Sequence, residues 1–267
     1  MITGIVLLQL MQFFMNVGSV SGTFGTMKKI AQIMDTDSEP DGGEPVPEVC
    51  ADIEFDNVSF AYAGGQDVIK NLSVKIPMGK VTAVIGGNGA GKSTLFKLLL
   101  HLYEPKSGEI RFGGDGIGKY SLTDWRDRFA VVSQRNPLIG GTVRENIAYG
   151  LDREVSDEEL AETARRANFS GGQGQCISIA RAMLRNADYL LLDEATSNLD
   201  VVSETEVTGA MDELMRDKTT IMIAHNYAAT RNADYIIVMK DGAVETAGTP
   251  DELLKTNEYY KMFVKTL

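Results

Sequence analysis

The run Gly86-Gly87-Asn88-Gly89-Ala90-Gly91-Lys92-Ser93 fits the pattern G-x-x-x-x-G-K-[ST]. It follows the β-branched run Val81-Thr82-Ala83-Val84-Ile85 and precedes the helix-prone Thr94-Leu95-Phe96-Lys97-Leu98-Leu99-Leu100. Strand, glycine loop and helix in that order fold the chain around an anion. The glycines let the loop turn its N–H groups inward, and the helix N-terminus faces the same point. Lys92 then stands where it neutralises the β- and γ-phosphates of a nucleotide. The Ser93 hydroxyl stands where it can ligate Mg²⁺, a hard cation that takes oxygen ligands.

A phosphate loop alone also suits kinases, GTPases and recombinase-like motors, so two later segments carry the discrimination. In Phe169-Ser170-Gly171-Gly172-Gln173 the serine and glutamine form an S-x-x-Q capping box, opening a helix through Cys176-Ile177-Ser178-Ile179-Ala180-Arg181-Ala182. A capped N-terminus flanked by two glycines is a second anion site within the chain. Leu190-Leu191-Leu192-Asp193-Glu194 reads as an apolar strand ending in two acids, followed by Ala195-Thr196-Ser197-Asn198-Leu199-Asp200. Buried parallel strands end at a ligand-facing edge. Asp193 is therefore expected to hold Mg²⁺, directly or through water, and Glu194 to polarise an attacking water by accepting its proton.

These segments, in this order, resemble the nucleotide-binding domain of ABC transporters from about Ile53 to the C-terminus, and within that family the exporter branch. The resemblance implies an α/β fold: a P-loop NTPase with a RecA-like, mostly parallel core, an antiparallel β subdomain and an α-helical signature subdomain. It implies that Gly86 to Ser93, together with Thr94, cradle ATP, and that Ser170, Gly171, Gly172 and Gln173 face the γ-phosphate held by a second such domain. Ser197 to Asp200 would touch the opposite subunit, with Asp200 beside the nucleotide. His225, just past the strand Thr220-Ile221-Met222-Ile223-Ala224, is expected to contact the γ-phosphate and the catalytic water. Gln134, after Phe129-Ala130-Val131-Val132-Ser133, is expected to ligate Mg²⁺ and report nucleotide state to a transmembrane part. The implied catalytic set is Lys92, Gln134, Glu194 and His225, and the metal set Ser93, Gln134 and Asp193. Tyr62, in Val58-Ser59-Phe60-Ala61-Tyr62, is the matching aromatic for adenine, although the residues alone also allow a strand tyrosine packed on the sheet. His101, at the end of the phosphate-loop helix, is read as structural.

The function so implied is hydrolysis of ATP to ADP and phosphate by two domains, identical or different, closing head to tail at the cytoplasmic face of the cell membrane. Their cycle drives the transmembrane domain of an exporter. Two other readings stand beside it: an ABC ATPase remnant that binds ATP without productive turnover, and a soluble ABC ATPase acting on nucleic acid or ribosomes. A net charge of −11 argues against a nucleic-acid partner, because phosphate-backbone binding needs basic surface. Two cysteines, Cys50 and Cys176, are too few for a disulfide framework and fit a reducing setting.

The expected organisation is residues 1–34 as the end of a last membrane helix and its cytoplasmic extension, 35–50 as an acidic linker, and 51–267 as the ATPase domain. Met1 to Gly22 is largely apolar but broken by Gln9, Gln12 and Asn16, which reaches only the lower end of a membrane-spanning length. Phe24, Met27, Ile30 and Ile33 continue at helical spacing, while Asp37 to Pro47 mixes proline, glycine and charge without periodicity. One departure from the family is large. The helix expected from Glu159 to Asn168, after a capping box at Ser156-Asp157-Glu158-Glu159, runs almost directly into Phe169, so the helical subdomain, about 135–176, is shortened between 168 and 169. Smaller departures are Gly174 and Cys176, where the family usually has arginines, and Asn226, where arginine commonly follows the histidine. Two local signals are a two-residue hairpin turn at Asp241-Gly242 and a capping box at Thr249-Pro250-Asp251-Glu252.

Overall fold

The computed structural model describes residues 11–12, 24–32, 34–35, 39, 42–133, 137–168, 174–193 and 201–265, with backbone alone for 201–206. The chain divides into two compact units, Met1–Asp41 and Gly42–Leu267. In the first unit, residues 24–32 form helix α1, with Phe24, Met27 and Ile30 exposed. Among the described residues no helix is long and apolar enough to cross a membrane. The apolar stretch 1–22 lies outside the described residues apart from Met11 and Gln12.

The second unit opens with strands β1 (Ile53–Ala61), β2 (Asp67–Ile76) and β3 (Val81–Gly86), then helix α2 (Lys92–Leu99) and strands β4 (Ser107–Phe112) and β5 (Asp115–Gly116). Helix α3 (Leu122–Asp127), strand β6 (Phe129–Val132) and helices α4 (Val143–Ile147), α5 (Asp157–Arg166) and α6 (Gly174–Arg185) follow. The chain continues through β7 (Tyr189–Asp193), α7 (Val201–Met215), β8 (Thr219–Ile223) and α8 (Tyr227–Thr230). It closes with β9 (Tyr235–Lys240), β10 (Ala243–Gly248), α9 (Pro250–Thr256) and α10 (Glu258–Lys265).

Two sheets result. One has the order β2-β1-β4-β5 and is antiparallel; the other has the order β10-β9-β3-β8-β7-β6, parallel except for β10. The second sheet is buried on both faces, as its apolar strands require. Ala83 and Ile85, Leu190 and Leu192, and Ile236 and Val238 enter one core. Their neighbours Val84, Leu191, Ile237 and Met239 enter the other, so the period-two alternation of each strand feeds both. The second core also holds Trp125, whose indole N–H donates to the Leu99 carbonyl at 2.8 Å, tying α3 to the end of α2.

The local signals resolve individually. Asp241 and Gly242 take φ of 50° and 85° between β9 and β10, the geometry a two-residue hairpin demands. Thr249 and Glu252 close a reciprocal capping box at α9. The box expected at Ser156 is only half made: its hydroxyl accepts from Glu159 N–H at 3.1 Å, but the Glu159 carboxylate pairs with Arg153 instead. A complete box stands at Thr142 and Glu145, before α4. Residues expected in the linker from Gly42 onward lie in the second unit, where Glu44 exchanges backbone hydrogen bonds with Lys119 and Ser121 at 2.9 Å each.

Candidate functional site

The phosphate-loop strand β3 lies between β9 and β8, and β8 lies between β3 and β7. Ile223 is the register partner of Val84 on one side and of Asp193 on the other. The loop leaving β3 at Gly86, the chain leaving β8 toward His225 and the acid ending β7 therefore emerge at one edge and one height. Val132 on β6 pairs with Leu192, which brings the segment before Gln134 to the same edge. In an open sheet this carboxyl edge is where ligands bind.

The loop itself is built on two glycines that nothing else could replace. Gly86 has φ 153°, and a Cβ there would come within 2.3 Å of the Met239 carbonyl oxygen. Gly91 caps α2 at φ 98°, with a Cβ position 2.6 Å from the Ile69 side chain. Gly89 is left-handed as well at φ 78°, while Gly87 faces open space. Asn88 is exposed and Ala90 buried. The first turn of α2 contains no acidic residue, so no carboxylate of that turn offsets the positive end of the helix dipole. Lys92 is 7 % exposed and donates to the Gly86 and Gly87 carbonyls at 2.9 and 3.0 Å, which holds its charge at the mouth of the loop. Ser93 is exposed and Thr94 buried.

Tyr62 follows β1 and reaches α2. Its hydroxyl lies 3.2 Å from the Thr94 hydroxyl, and Lys97 Nζ donates to it at 3.3 Å. Its ring meets Phe60 and Tyr103 edge to face, with centroids 4.9 and 5.3 Å away. The structure thus brings Tyr62, the phosphate loop, Lys92, Ser93 and Thr94 together, and aligns Asp193 and the strand before His225 with them. Gln134, the signature residues Ser170, Gly171, Gly172 and Gln173, and Glu194 and Asp200 lie outside the described residues.

Around the signature helix α6, both α4 and α5 pack directly against it. Arg181 donates to the Asn146 carbonyl at 2.9 Å and lies over the Tyr149 ring, and burial pushes its guanidinium below its usual value. Asn146 is buried, donates to the Ile139 and Thr142 carbonyls at 3.1 and 3.0 Å, and accepts from Ile139 N–H at 2.9 Å. Sequence reasoning missed this brace. Its one visible trace is the T-x-x-E spacing of Thr142 and Glu145 just before Asn146. Cys176 is 2 % exposed, with its sulfur 3.8 Å from the Asn168 carbonyl oxygen, so the segment that follows α5 closes over this position. Asn226 caps α8 by accepting from Ala229 N–H at 2.9 Å.

Comparison with known proteins agrees with this geometry. The family model described as ABC transporter matches residues 69–197. The ATP-dependent lipid A-core flippase of Escherichia coli K12 is 38% identical over 258 residues, covering 87% of this chain and 44% of the flippase. The flippase of Salmonella paratyphi A matches at the same identity over 257 residues. The 258 matched residues exceed 87% of this chain, so the flippase carries residues inside the match that have no counterpart here. A solved bacterial Atm1-family ABC exporter with ATP bound superposes with a TM-score of 0.79 at 29% identity, covering 89% of this chain and 46% of that one. The chain spans less than half the length of the curated relatives it matches. By these matches and by its two sheets, the chain carries an ABC transporter domain over residues 69–197 and has the fold of an ABC exporter's ATPase domain.

Proposed function

We propose that this chain is the ATP-binding and ATP-hydrolysing part of an exporter, working as one of two domains that close head to tail around two ATP molecules at the cytoplasmic face of a membrane. The observation that carries the reading is the shared register of Val84, Ile223 and Asp193, which presents the phosphate loop, the segment to His225 and the acidic strand end along one edge.

Each residue then has work suited to its chemistry. The inward N–H groups of Gly86 to Ser93 and the Lys92 ammonium hold the phosphates, with Thr94 beside them, and Tyr62 offers its ring to adenine. Glu194 accepts the proton of the attacking water, and His225 orients that water against the terminal phosphate. Ser170, Gly171, Gly172 and Gln173 of the opposing domain close the site, with Asp200 at the interface. The Ser93 hydroxyl, the Asp193 carboxylate and the Gln134 amide oxygen are hard donors of the kind Mg²⁺ takes, and when bound it would neutralise charge on the phosphate oxygens. The packing of α4 and α5 on α6 supports a signature helix held in place despite the short connection from α5.

The test is Mg²⁺-dependent ATP hydrolysis by the full chain as a function of its concentration, beside Glu194→Gln. The reading expects turnover per chain to rise with concentration, and Glu194→Gln to bind ATP, accumulate as a dimer and hydrolyse about 10²-fold or more slowly. Turnover unchanged in Glu194→Gln, or ATP binding without any turnover by the unaltered chain, would overturn it.

A further inference from the structure

Tyr62 is attached to the phosphate-binding helix by more than its ring. Thr94 and Lys97 stand one turn apart on α2, the helix that begins at Lys92, and both meet the Tyr62 hydroxyl, at 3.2 and 3.3 Å. The Lys97 ammonium also lies 5.3 Å from the centroid of the Tyr62 ring. Among the described residues Lys97 makes no ion pair, so this exposed cation is committed to an aromatic side chain in a domain rich in carboxylates. Phe60 and Tyr103 hold the ring by its edges at interplanar angles of 83° and 88°.

We propose that Lys97 is a positioning residue for the base of a purine nucleoside triphosphate. By donating to the hydroxyl and lying against the ring, it fixes Tyr62 to α2, so that the platform for the base and the cradle for the phosphates behave as one rigid piece. A base stacking on a ring already held pays less ordering entropy than one that must first immobilise it. The inference rests on the reading of Tyr62 as the adenine platform.

The experiment measures binding of ATP and of inorganic tripolyphosphate, which has no base, to the full chain in the presence of Mg²⁺. The variants are Lys97→Met, Lys97→Arg, Tyr62→Ala and the double variant Lys97→Met with Tyr62→Ala. Methionine keeps the length of the stem and removes the charge and the donors. The expected result is an ATP affinity about two- to fivefold weaker in Lys97→Met, the range of an exposed cation–ring contact, with tripolyphosphate binding unchanged. Lys97→Arg should restore ATP affinity, and Lys97→Met should have no further effect once Tyr62 is alanine. ATP affinity unchanged by Lys97→Met while the unaltered chain binds ATP would overturn this inference alone. Equal weakening of ATP and tripolyphosphate would overturn it too, since Lys97 would then act on the phosphates directly. An unaltered chain that binds no ATP, or Tyr62→Ala binding ATP as well as the unaltered chain, would overturn the assignment of Tyr62 and this inference with it.

Discussion

The Tyr189 hydroxyl donates to the Ala51 carbonyl at 2.7 Å and accepts from the Ala51 N–H at 2.8 Å, closing a pair of bonds across 138 residues of sequence. Tyr189 opens β7, the strand that ends in Asp193, and its fully buried ring packs with Phe112 and Phe129. The chain is therefore pinned just before β1 to the strand that carries the acidic end of the site.

Tyr189→Phe keeps the ring and removes both bonds, leaving the Ala51 N–H and carbonyl without this partner. A loss of about 1–3 kcal/mol is expected, read as a lower urea midpoint at unchanged m-value.

Burial pushes the Tyr189 phenol from 10.0 up to about 12. Because the folded state holds this proton more tightly, the stabilisation is complete below pH 10 and is lost as pH rises toward about 12. Across that window the unaltered chain should lose stability more steeply than Tyr189→Phe in denaturant titrations. Parallel curves would mean that this proton is not linked to folding.

The loop glycines should differ sharply in tolerance. Gly86→Ala forces a Cβ within 2.3 Å of the Met239 carbonyl at φ 153°, and should lose ATP binding along with about 1–3 kcal/mol of stability. Gly87→Ala meets open space and should stay within about 0.5 kcal/mol of the unaltered chain. Thermal unfolding and ATP titration of the two variants would separate them.

Asn146→Ala removes three hydrogen bonds that brace Ile139 and Thr142 from a buried side chain. The expected cost is about 2–3 kcal/mol, with amide exchange at Ile139 faster than at α4 itself. Exchange unchanged at Ile139 would show that the segment holds its shape without the brace.

Cys176→Arg places a guanidinium at a position only 2 % exposed and closed by Asn168. Burying a guanidinium there should destabilise by about 3 kcal/mol or more, whereas Cys176→Ala should cost about 1 kcal/mol. A stable arginine variant would mean that the end of α5 swings away from α6 readily.

Features that depend on near neighbours are legible in the amino-acid sequence itself. The glycine loop, the turn at Asp241-Gly242 and the capping box at Thr249 each announce themselves within a few residues, because backbone sterics and capping act over that distance. Ser156 shows where such reading fails. The spacing to Glu159 suits a capping box, yet Arg153 competes for that carboxylate with a charge-assisted bond. The stretch from Gly42 to Cys50 has the composition of a linker, but Glu44 is pinned by Lys119 and Ser121, partners no local pattern reveals.

The sequence by itself determined the likeness to an ABC ATPase domain, the phosphate loop and the kinds of residue available for nucleotide chemistry, since these follow from residue types at short fixed spacings. Only the tertiary structure decided that β8 lies between β3 and β7 with Ile223 level with Val84 and Asp193, and that Lys97 and Thr94 hold Tyr62. Those relations join segments far apart in sequence, and their register is set by which apolar faces bury together, a property of the whole core rather than of any window along the chain.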